Sequence, residues 1–117
     1  MQTKRYHIII DLTGISKEVA NDTNGLTNFL KEFPLVIGMH VLKGPEVTEG
    51  IPENPGLSGF VIIDYSHISI HTFTKSNEAL VDIFSCKPYE QEDAVKATLD
   101  YFKVNRDQVK IQVVGWA

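Results

Sequence analysis

The arrangement of three short apolar segments in the middle of the chain most strongly constrains its fold. The segments 57–64, 68–74 and 79–85 are rich in β-branched and aromatic residues, as β-strands are. Only three or four residues separate each segment from the next. A parallel pair of strands needs a crossover of roughly a dozen residues or more, so connections this short join antiparallel strands. The sequence therefore predicts an antiparallel meander.

Further strands are predicted on both sides of this meander. The segments 6–12, 36–42 and 109–114 have strand-like composition. Glycine and proline occupy six of the positions in 43–56, which predicts a long loop. A loop of this length within a small domain is usually functional or mobile.

Two amphipathic helices complete the prediction. The first begins at a cap formed by Asp22 or Thr23 and runs to about Phe33, because Pro34 cannot continue a helix. The second covers 90–103, with acidic residues at its N-terminal end. Both helices have apolar residues at spacings of three and four on one face.

The predicted order of elements is β-α-β-loop-β-β-β-α-β. It indicates a single domain over residues 1–117 with an α+β fold, a two-layer sandwich of an antiparallel sheet with two helices on one face. The residues of 57–64 and 79–85 are largely apolar on both sides of the strand. The sheet face without helices is therefore expected to meet a partner chain, and we expect a homodimer.

Charge and composition exclude several classes of protein. The chain has 11 Lys and Arg against 15 Asp and Glu, a net charge of −4, which argues against nucleic-acid binding. The longest apolar stretches are too short to span a membrane, and the N-terminal segment lacks the apolar core of a signal peptide. A single cysteine fits a reducing compartment. We expect a cytoplasmic protein that binds no membrane.

Candidate catalytic residues cluster in the meander. A serine and two histidines lie in and after the first predicted hairpin turn, and the one cysteine follows the third strand. Because these strands are neighbours, we expect four side chains near one end of the sheet: Ser58, Ser66, His71 and Cys86. Alternation along the second strand places three residues on one face: Ser69, His71 and Phe73.

The residues alone also allow simpler interpretations. Serine is common in tight turns, and a lone cysteine is most often a small buried hydrophobe. His7 and His40 are predicted to be half-buried, hydrogen-bonded strand residues. His67, His71 and Asp82 could hold a metal ion, although their spacing matches no common zinc pattern. A serine hydrolase would lack its nucleophile elbow.

Two segments resemble the motifs of the small prokaryotic S-adenosylmethionine decarboxylase proenzymes, and on this resemblance the chain is identified as a divergent member of that family. They are 65–72 (YSHISIHT) and 79–86 (ALVDIFSC). His71 follows Ser66 by five residues and Cys86 follows it by 20, as in that family. The resemblance extends to two other places: Ser58-Gly59 and the segment 7–11 (HIIID).

The resemblance implies that the chain cleaves itself. The Ser66 hydroxyl would attack the carbonyl carbon of Tyr65 and convert the peptide bond into an ester. His71, assisted by Ser58, would then drive β-elimination of that ester. The dehydroalanine left at position 66 would hydrolyse to a pyruvoyl group with release of ammonia. The products would be a β chain, 1–65, and an α chain, 66–117.

The resemblance also implies the activity of the processed protein. The pyruvoyl cofactor would form a Schiff base with the amine of a small amino-acid substrate and act as an electron sink for decarboxylation. Cys86 would return a proton to the α-carbon, and Phe73 would stack on the substrate's adenine. The implied product feeds spermidine and polyamine synthesis, and the implied assembly is a dimer of processed αβ protomers.

Three departures from the family pattern concern substrate binding and the cleavage site. Tyr65 replaces the usual glutamate before the processing serine, and 73–75 (FTK) replaces Trp-Pro-Glu. Lys75 cannot accept hydrogen bonds from ribose hydroxyls, because an ammonium group has only donors. The segment 43–56 also lacks the aromatic residue that the family places ahead of Ser58.

These departures leave two alternatives open. The first is a pyruvoyl-dependent decarboxylase for arginine or ornithine, in which acidic residues of the long loop would bind a basic side chain: Glu46, Glu49 and Glu53. The second is an uncleaved homologue that acts as a binding or regulatory subunit without catalysis.

Overall fold

The computed structural model describes residues 3–116. The strands are β1 (Tyr6–Thr13), β2 (Val41–Glu49), β3 (Leu57–Ile63), β4 (Ser66–Phe73), β5 (Glu78–Ser85) and β6 (Val109–Val113). The helices are α1 (Lys17–Ala20), α2 (Thr23–Val36) and α3 (Gln91–Phe102), and a 3₁₀ turn spans Arg106–Gln108. Three residues lie outside the described ones: Met1 and Gln2, at the start of the predicted β chain, and Ala117, at the end of the predicted α chain.

The six strands form one sheet in which every neighbouring pair is antiparallel. Their order is β2-β3-β4-β5-β1-β6, so the predicted meander β3-β4-β5 forms its centre. The chain therefore has the expected α+β fold, built around strands that are neighbours in sequence.

The longer helices pack against one face of this sheet. The Asp22 carboxylate caps α2 by accepting a hydrogen bond from the Gly25 N–H at 2.9 Å. The core contains the apolar faces of both helices: Leu26, Leu30, Phe33, Ala94, Val95 and Phe102. Alternate residues of the central strands meet them, among which Ile68 and Ile70 are fully buried. The predicted two-layer sandwich is confirmed.

The opposite face of the sheet remains open. Side chains that point to it are only partly buried along β4 and β5, where they alternate with fully buried ones. Phe60 and Ile62 on β3 are 45% and 39% exposed. Large apolar side chains on an open sheet face are typical of a surface that meets another protein.

The predictions for the segment before the meander were wrong. The strand expected over 36–42 begins only at Val41, and strand β2 continues to Glu49 through most of the expected loop 43–56. Of that expected loop, only 50–56 lies outside the strands. Because β2 is at the edge of the sheet, it tolerates a proline. The pairing of β2 with β3 shifts register before Lys43 and again between Lys43 and Glu46, across Gly44-Pro45, so that the missing proline N–H is not needed.

The first long helix also ends later than predicted. Helix α2 contains Pro34 and continues to Val36. Pro34 lies in the last turn, where its missing N–H removes a single helical hydrogen bond. Its carbonyl oxygen still accepts hydrogen bonds from Ile37 N and Met39 N, at 3.2 and 2.8 Å. The short helix α1 was not predicted.

Candidate active site

The peptide bond between Tyr65 and Ser66 lies where β3 turns into β4. The turn consists of Asp64 and Tyr65, so Ser66 is the first residue of β4 and not a turn residue as expected. The φ angle of Ser66 is 143°, a conformation that favours glycine. Such a conformation costs a residue with a side chain about 1–3 kcal/mol. The strain falls at the peptide bond that is expected to rearrange.

Cys86 contacts both sides of this peptide bond. Its backbone N–H donates a hydrogen bond to the Tyr65 carbonyl oxygen at 2.9 Å. Its Sγ lies 3.6 Å from the Ser66 Oγ. Cys86 is exposed, so the interpretation as a buried hydrophobe was wrong. An N–H directed at a carbonyl oxygen stabilises the negative charge that develops there during nucleophilic attack.

Asp64 and His40 fix the turn that carries this peptide bond. Their backbones are linked by a hydrogen bond from Asp64 N to His40 O at 2.9 Å. The Asp64 carboxylate accepts hydrogen bonds from the His40 backbone N–H at 3.0 Å and contacts its ring Nδ1 at 3.2 Å. The His40 N–H lowers the pKa of Asp64 below its usual value. His40 is exposed and precedes β2, so the prediction of a half-buried strand histidine was wrong.

Lys87 follows Cys86 in the bend after β5 and approaches Tyr65 from there. Its ammonium nitrogen lies 5.2 Å from the centre of the Tyr65 ring and donates a hydrogen bond to the Gly38 carbonyl at 3.0 Å. The Ser85 hydroxyl bonds to the backbone N–H and carbonyl of Lys87, at 2.9 and 2.8 Å. These contacts were not predicted from the sequence.

Ser58 and His71 form a second pair. Ser58 Oγ lies 2.8 Å from His71 Nδ1, because the register of β3 and β4 places the two residues directly opposite each other. They line a cavity of about 470 Å³ on the open face, together with Glu46 and Phe60. The ring of Phe73 lies 6.5 Å from the His71 ring.

The two pairs do not meet within one chain, contrary to the expectation that all four residues lie near one end of the sheet. His71 follows Ser66 by five residues on the same strand, which corresponds to about 17 Å at roughly 3.4 Å per residue. Ser66 and Cys86 lie at one end of β4, and Ser58 and His71 lie toward the other. The prediction failed because it counted adjacent strands and neglected distance along them.

The remaining acidic candidates are dispersed. Glu46 lines the cavity beside Ser58, whereas Glu49 borders a separate depression formed by the loop 50–56. The carbonyl of Glu53 accepts a hydrogen bond from Lys75 Nζ at 3.0 Å. Lys75, the residue that departs from the family's glutamate, thus holds this loop.

A third group of side chains, around His7 on the open face, was missed by sequence reasoning. The sequence did predict that His7 is half-buried and hydrogen-bonded, and it is. His7 Nε2 lies 2.9 Å from the Asp82 carboxylate, across β1 and β5. Its ring contacts Phe84 and stacks on Trp116, with centroids 5.2 and 5.9 Å away. The alternation of residues along β1 and β5 was the available signal for this group in the sequence. The strand order was needed to show that these two strands are paired.

Two other kinds of site are absent from residues 3–116. No group of three histidine, cysteine or acidic side chains there could hold a metal ion, and His67, His71 and Asp82 form no such group. None of the helices in this part of the chain is long and apolar enough to cross a membrane.

Comparison with known proteins agrees with the resemblance. The family model described as S-adenosylmethionine decarboxylase matches residues 6–114. An S-adenosylmethionine decarboxylase proenzyme of Pyrococcus furiosus is 34% identical over 104 residues, which cover 88% of this chain and 73% of the relative. S-adenosylmethionine decarboxylase proenzyme 2 of Bacillus cereus is 29% identical over 110 residues, covering 93% of this chain and 87% of the relative.

A solved structure shares the fold. The adenosylmethionine decarboxylase of Aquifex aeolicus superposes with a TM-score of 0.75 and 23% identity, covering 97% of this chain and 91% of that one. None of these comparisons supports the arginine or ornithine decarboxylase or the non-catalytic subunit. The family model spans nearly the whole chain, and the chain therefore belongs to the S-adenosylmethionine decarboxylase family.

Proposed function

We propose that the chain is an S-adenosylmethionine decarboxylase proenzyme of polyamine synthesis that cleaves itself between Tyr65 and Ser66. The observation that carries this proposal is the Cys86 backbone N–H, 2.9 Å from the Tyr65 carbonyl oxygen, beside a serine with strained φ. The names of the relatives include the word proenzyme, which supports a chain that matures by processing.

In the first step, the Ser66 Oγ attacks the Tyr65 carbonyl carbon. The C–N bond breaks, a C–O bond forms, and the hydroxyl proton passes to the released nitrogen. The Cys86 N–H stabilises the oxyanion that forms in between. The strained φ of Ser66 is relieved when the peptide bond is lost, which favours the ester.

In the second step, a base removes the α-proton of residue 66. The Cβ–Oγ bond breaks, and its electron pair leaves with the Tyr65 carboxylate. We assign the base to His71, with Ser58 bonded to its Nδ1 at 2.8 Å and orienting the ring. Since His71 lies about 17 Å from Ser66 in its own chain, it would act on the serine of a second copy.

A homodimer that pairs the open sheet faces would bring the two pairs together. The open face carries Phe60 and Ile62, which are large apolar side chains exposed in a single chain. Under a twofold axis, each chain would give one Ser66–Cys86 pair and one Ser58–His71 pair to two equivalent sites. The dimer is thus part of the mechanism.

The residues around Ser66 fit a pyruvoyl cofactor. A half-buried serine at a strand end, with an exposed thiol 3.6 Å from its Oγ, leaves room for a substrate. When present, the pyruvoyl ketone supplies the electron sink for loss of CO2. The Cys86 thiol would donate a proton to the substrate α-carbon, since a thiol is a competent general acid. Phe73, beside His71 of the second copy, would stack on the adenine. The reduced thiol fits a cytoplasmic location.

The test is the intact mass of the purified protein under denaturing conditions. We expect two species that end at Tyr65 and begin at residue 66, the second lighter by one ammonia than a fragment beginning with serine. A single stable species near 13.1 kDa would reject self-processing. Decarboxylation would then be measured with S-adenosylmethionine, and with arginine and ornithine as comparison substrates.

A further inference from the structure

A cation lies next to the cleavage site without a carboxylate to pair with. Lys87 is half-buried, and its ammonium contacts the Tyr65 ring at 5.2 Å and the Gly38 carbonyl at 3.0 Å. Within residues 3–116, no acidic side chain forms an ion pair with it. The nearest carboxylate in sequence to Tyr65, that of Asp64, is engaged by His40. The Lys87 ammonium is therefore a positive charge beside Tyr65 that forms no ion pair with the acidic side chains of residues 3–116.

The processing reaction itself creates an anion at this place. The inference here rests on the proposed function: β-elimination releases Tyr65 as a carboxylate, on the residue that Lys87 already contacts. The new end of the α chain is an uncharged ketone, and its nitrogen leaves as ammonia. The released carboxylate therefore finds no positive charge at the other side of the cut.

We propose that Lys87 stabilises the Tyr65 carboxylate as the leaving group of the elimination and holds it afterwards. The Cβ–Oγ bond of residue 66 breaks as the α-proton leaves, and the electron pair stays on the oxygen, which becomes one carboxylate oxygen of Tyr65. The Cys86 N–H already donates to the other oxygen at 2.9 Å. Lys87 would donate to the oxygen that is set free.

The local structure holds Lys87 in place for this role. The Ser85 hydroxyl fixes its backbone, and the Gly38 carbonyl accepts one of the three ammonium donors, so two remain. The flexible four-carbon stem lets the ammonium move from the ring of Tyr65 to its carboxylate. Lys87 would thus make a cation–π contact with the Tyr65 ring before cleavage and an ion pair with the Tyr65 carboxylate after it.

This role predicts which of the two steps depends on Lys87. The acyl shift begins and ends with a neutral carbonyl group, whereas the elimination ends with a full negative charge. Loss of one charge-assisted contact to a leaving group slows its departure about tenfold. Removing the lysine charge should therefore slow the elimination and cause the ester to accumulate.

The experiment follows processing over time by intact mass in Lys87→Met, Lys87→Gln and Lys87→Arg, beside the wild type. The ester has the same mass as the precursor, but hydroxylamine cleaves it and marks Tyr65 as a hydroxamate. Lys96→Met is the matched control, because Lys96 is an exposed lysine on α3. Lys87→Gln keeps a donor for Gly38 and replaces the methionine variant if that one does not fold.

We expect the neutral variants to accumulate a hydroxylamine-sensitive species and to form the α chain about tenfold more slowly. The Lys87→Arg and Lys96→Met proteins should process like the wild type. Neutral variants that process at the wild-type rate, or that slow without ester accumulation, would overturn this role while leaving the proposed function intact. A wild type that never cleaves would reject the proposed function, and this role with it.

Discussion

Ser58 Oγ and His71 Nδ1 lie 2.8 Å apart on strands β3 and β4, yet this pair is about 17 Å from the serine it is expected to act on. Ser66 forms its own pair with Cys86 at the other end of β4. One chain thus holds both halves of the proposed processing site without joining them. The symmetry of a homodimer is the simplest way in which the halves can meet.

Complementation between two defective chains tests this arrangement. In a mixed dimer of Ser66→Ala and His71→Ala chains, one site has both Ser66 and His71. We expect the His71→Ala chain to be cleaved when the Ser66→Ala chain is co-expressed and to remain whole when expressed alone. Intact mass distinguishes the two chains.

The double variant Ser66→Ala/His71→Ala is the matched control for this experiment, because it offers the same interface without the histidine. It should give no cleavage of the His71→Ala chain. Failure of the Ser66→Ala chain to restore cleavage would show that His71 does not act across the interface. Cleavage of the His71→Ala protein on its own would show that the histidine is not needed.

The strain at Ser66 predicts a difference in stability between two uncleavable variants. Alanine and glycine both remove the nucleophile, but only glycine adopts a φ of 143° without strain. Ser66→Gly is therefore expected to be more stable than Ser66→Ala by about 1 kcal/mol, measured by urea unfolding. An alanine variant equal to or more stable than the glycine variant would show that the backbone is unstrained there.

Most of the fold follows from local sequence pattern. The meander was predicted because short connections allow only antiparallel pairing, and the structure keeps those strands as neighbours. Strand β2 was missed because Gly44 and Pro45, followed by the prolines and glycines of 50–56, indicate a loop when no partner strand is known. Only the pairing of β2 with β3 shows that Pro45 occupies an irregular position at a sheet edge.

The sequence supplied candidate residues for the site but not their geometry. The resemblance identified Ser58, Ser66, His71 and Cys86, and the structure brings them together as two pairs. Their separation depends on register, which a motif does not encode. The contact between Lys87 and Tyr65 depends on the bend after β5, so neither residue attracts notice in the sequence by itself.

Substitution of Cys86 separates its two contacts. Cys86→Ser keeps the backbone N–H that contacts the Tyr65 carbonyl, so we expect the two chains to form. The hydroxyl is a much weaker acid than the thiol, so product formation should fall about a hundredfold. Turnover of S-adenosylmethionine by the processed variant measures this. Unchanged product formation with unchanged stereochemistry would contradict the assignment of Cys86 as proton donor.

Two tyrosines next to the helical layer should make the fold sensitive to high pH. Burial raises the pKa of Tyr89 and that of Tyr101 to about 12, from 10.0. The folded state disfavours the ionised form of each tyrosine. The stability that these tyrosines contribute is therefore fully present below pH 10 and is lost as the pH rises toward 12. The free energy of unfolding should therefore fall over this interval.

Replacing each tyrosine by phenylalanine distinguishes their roles. The Tyr101 hydroxyl is buried with no hydrogen-bond partner within residues 3–116, and its ring stacks on Phe29 with centroids 4.4 Å apart. Tyr101→Phe keeps the stacking and removes an unsatisfied group, so stability at pH 7 should be unchanged or higher by about 1 kcal/mol. Tyr89→Phe loses a hydrogen bond to the Ile83 carbonyl at 3.0 Å and should cost about 1 kcal/mol.

Both variants should lose stability less steeply than the wild type above pH 10, measured by urea unfolding at several pH values. An alkaline slope that neither substitution reduces would assign the effect to other groups.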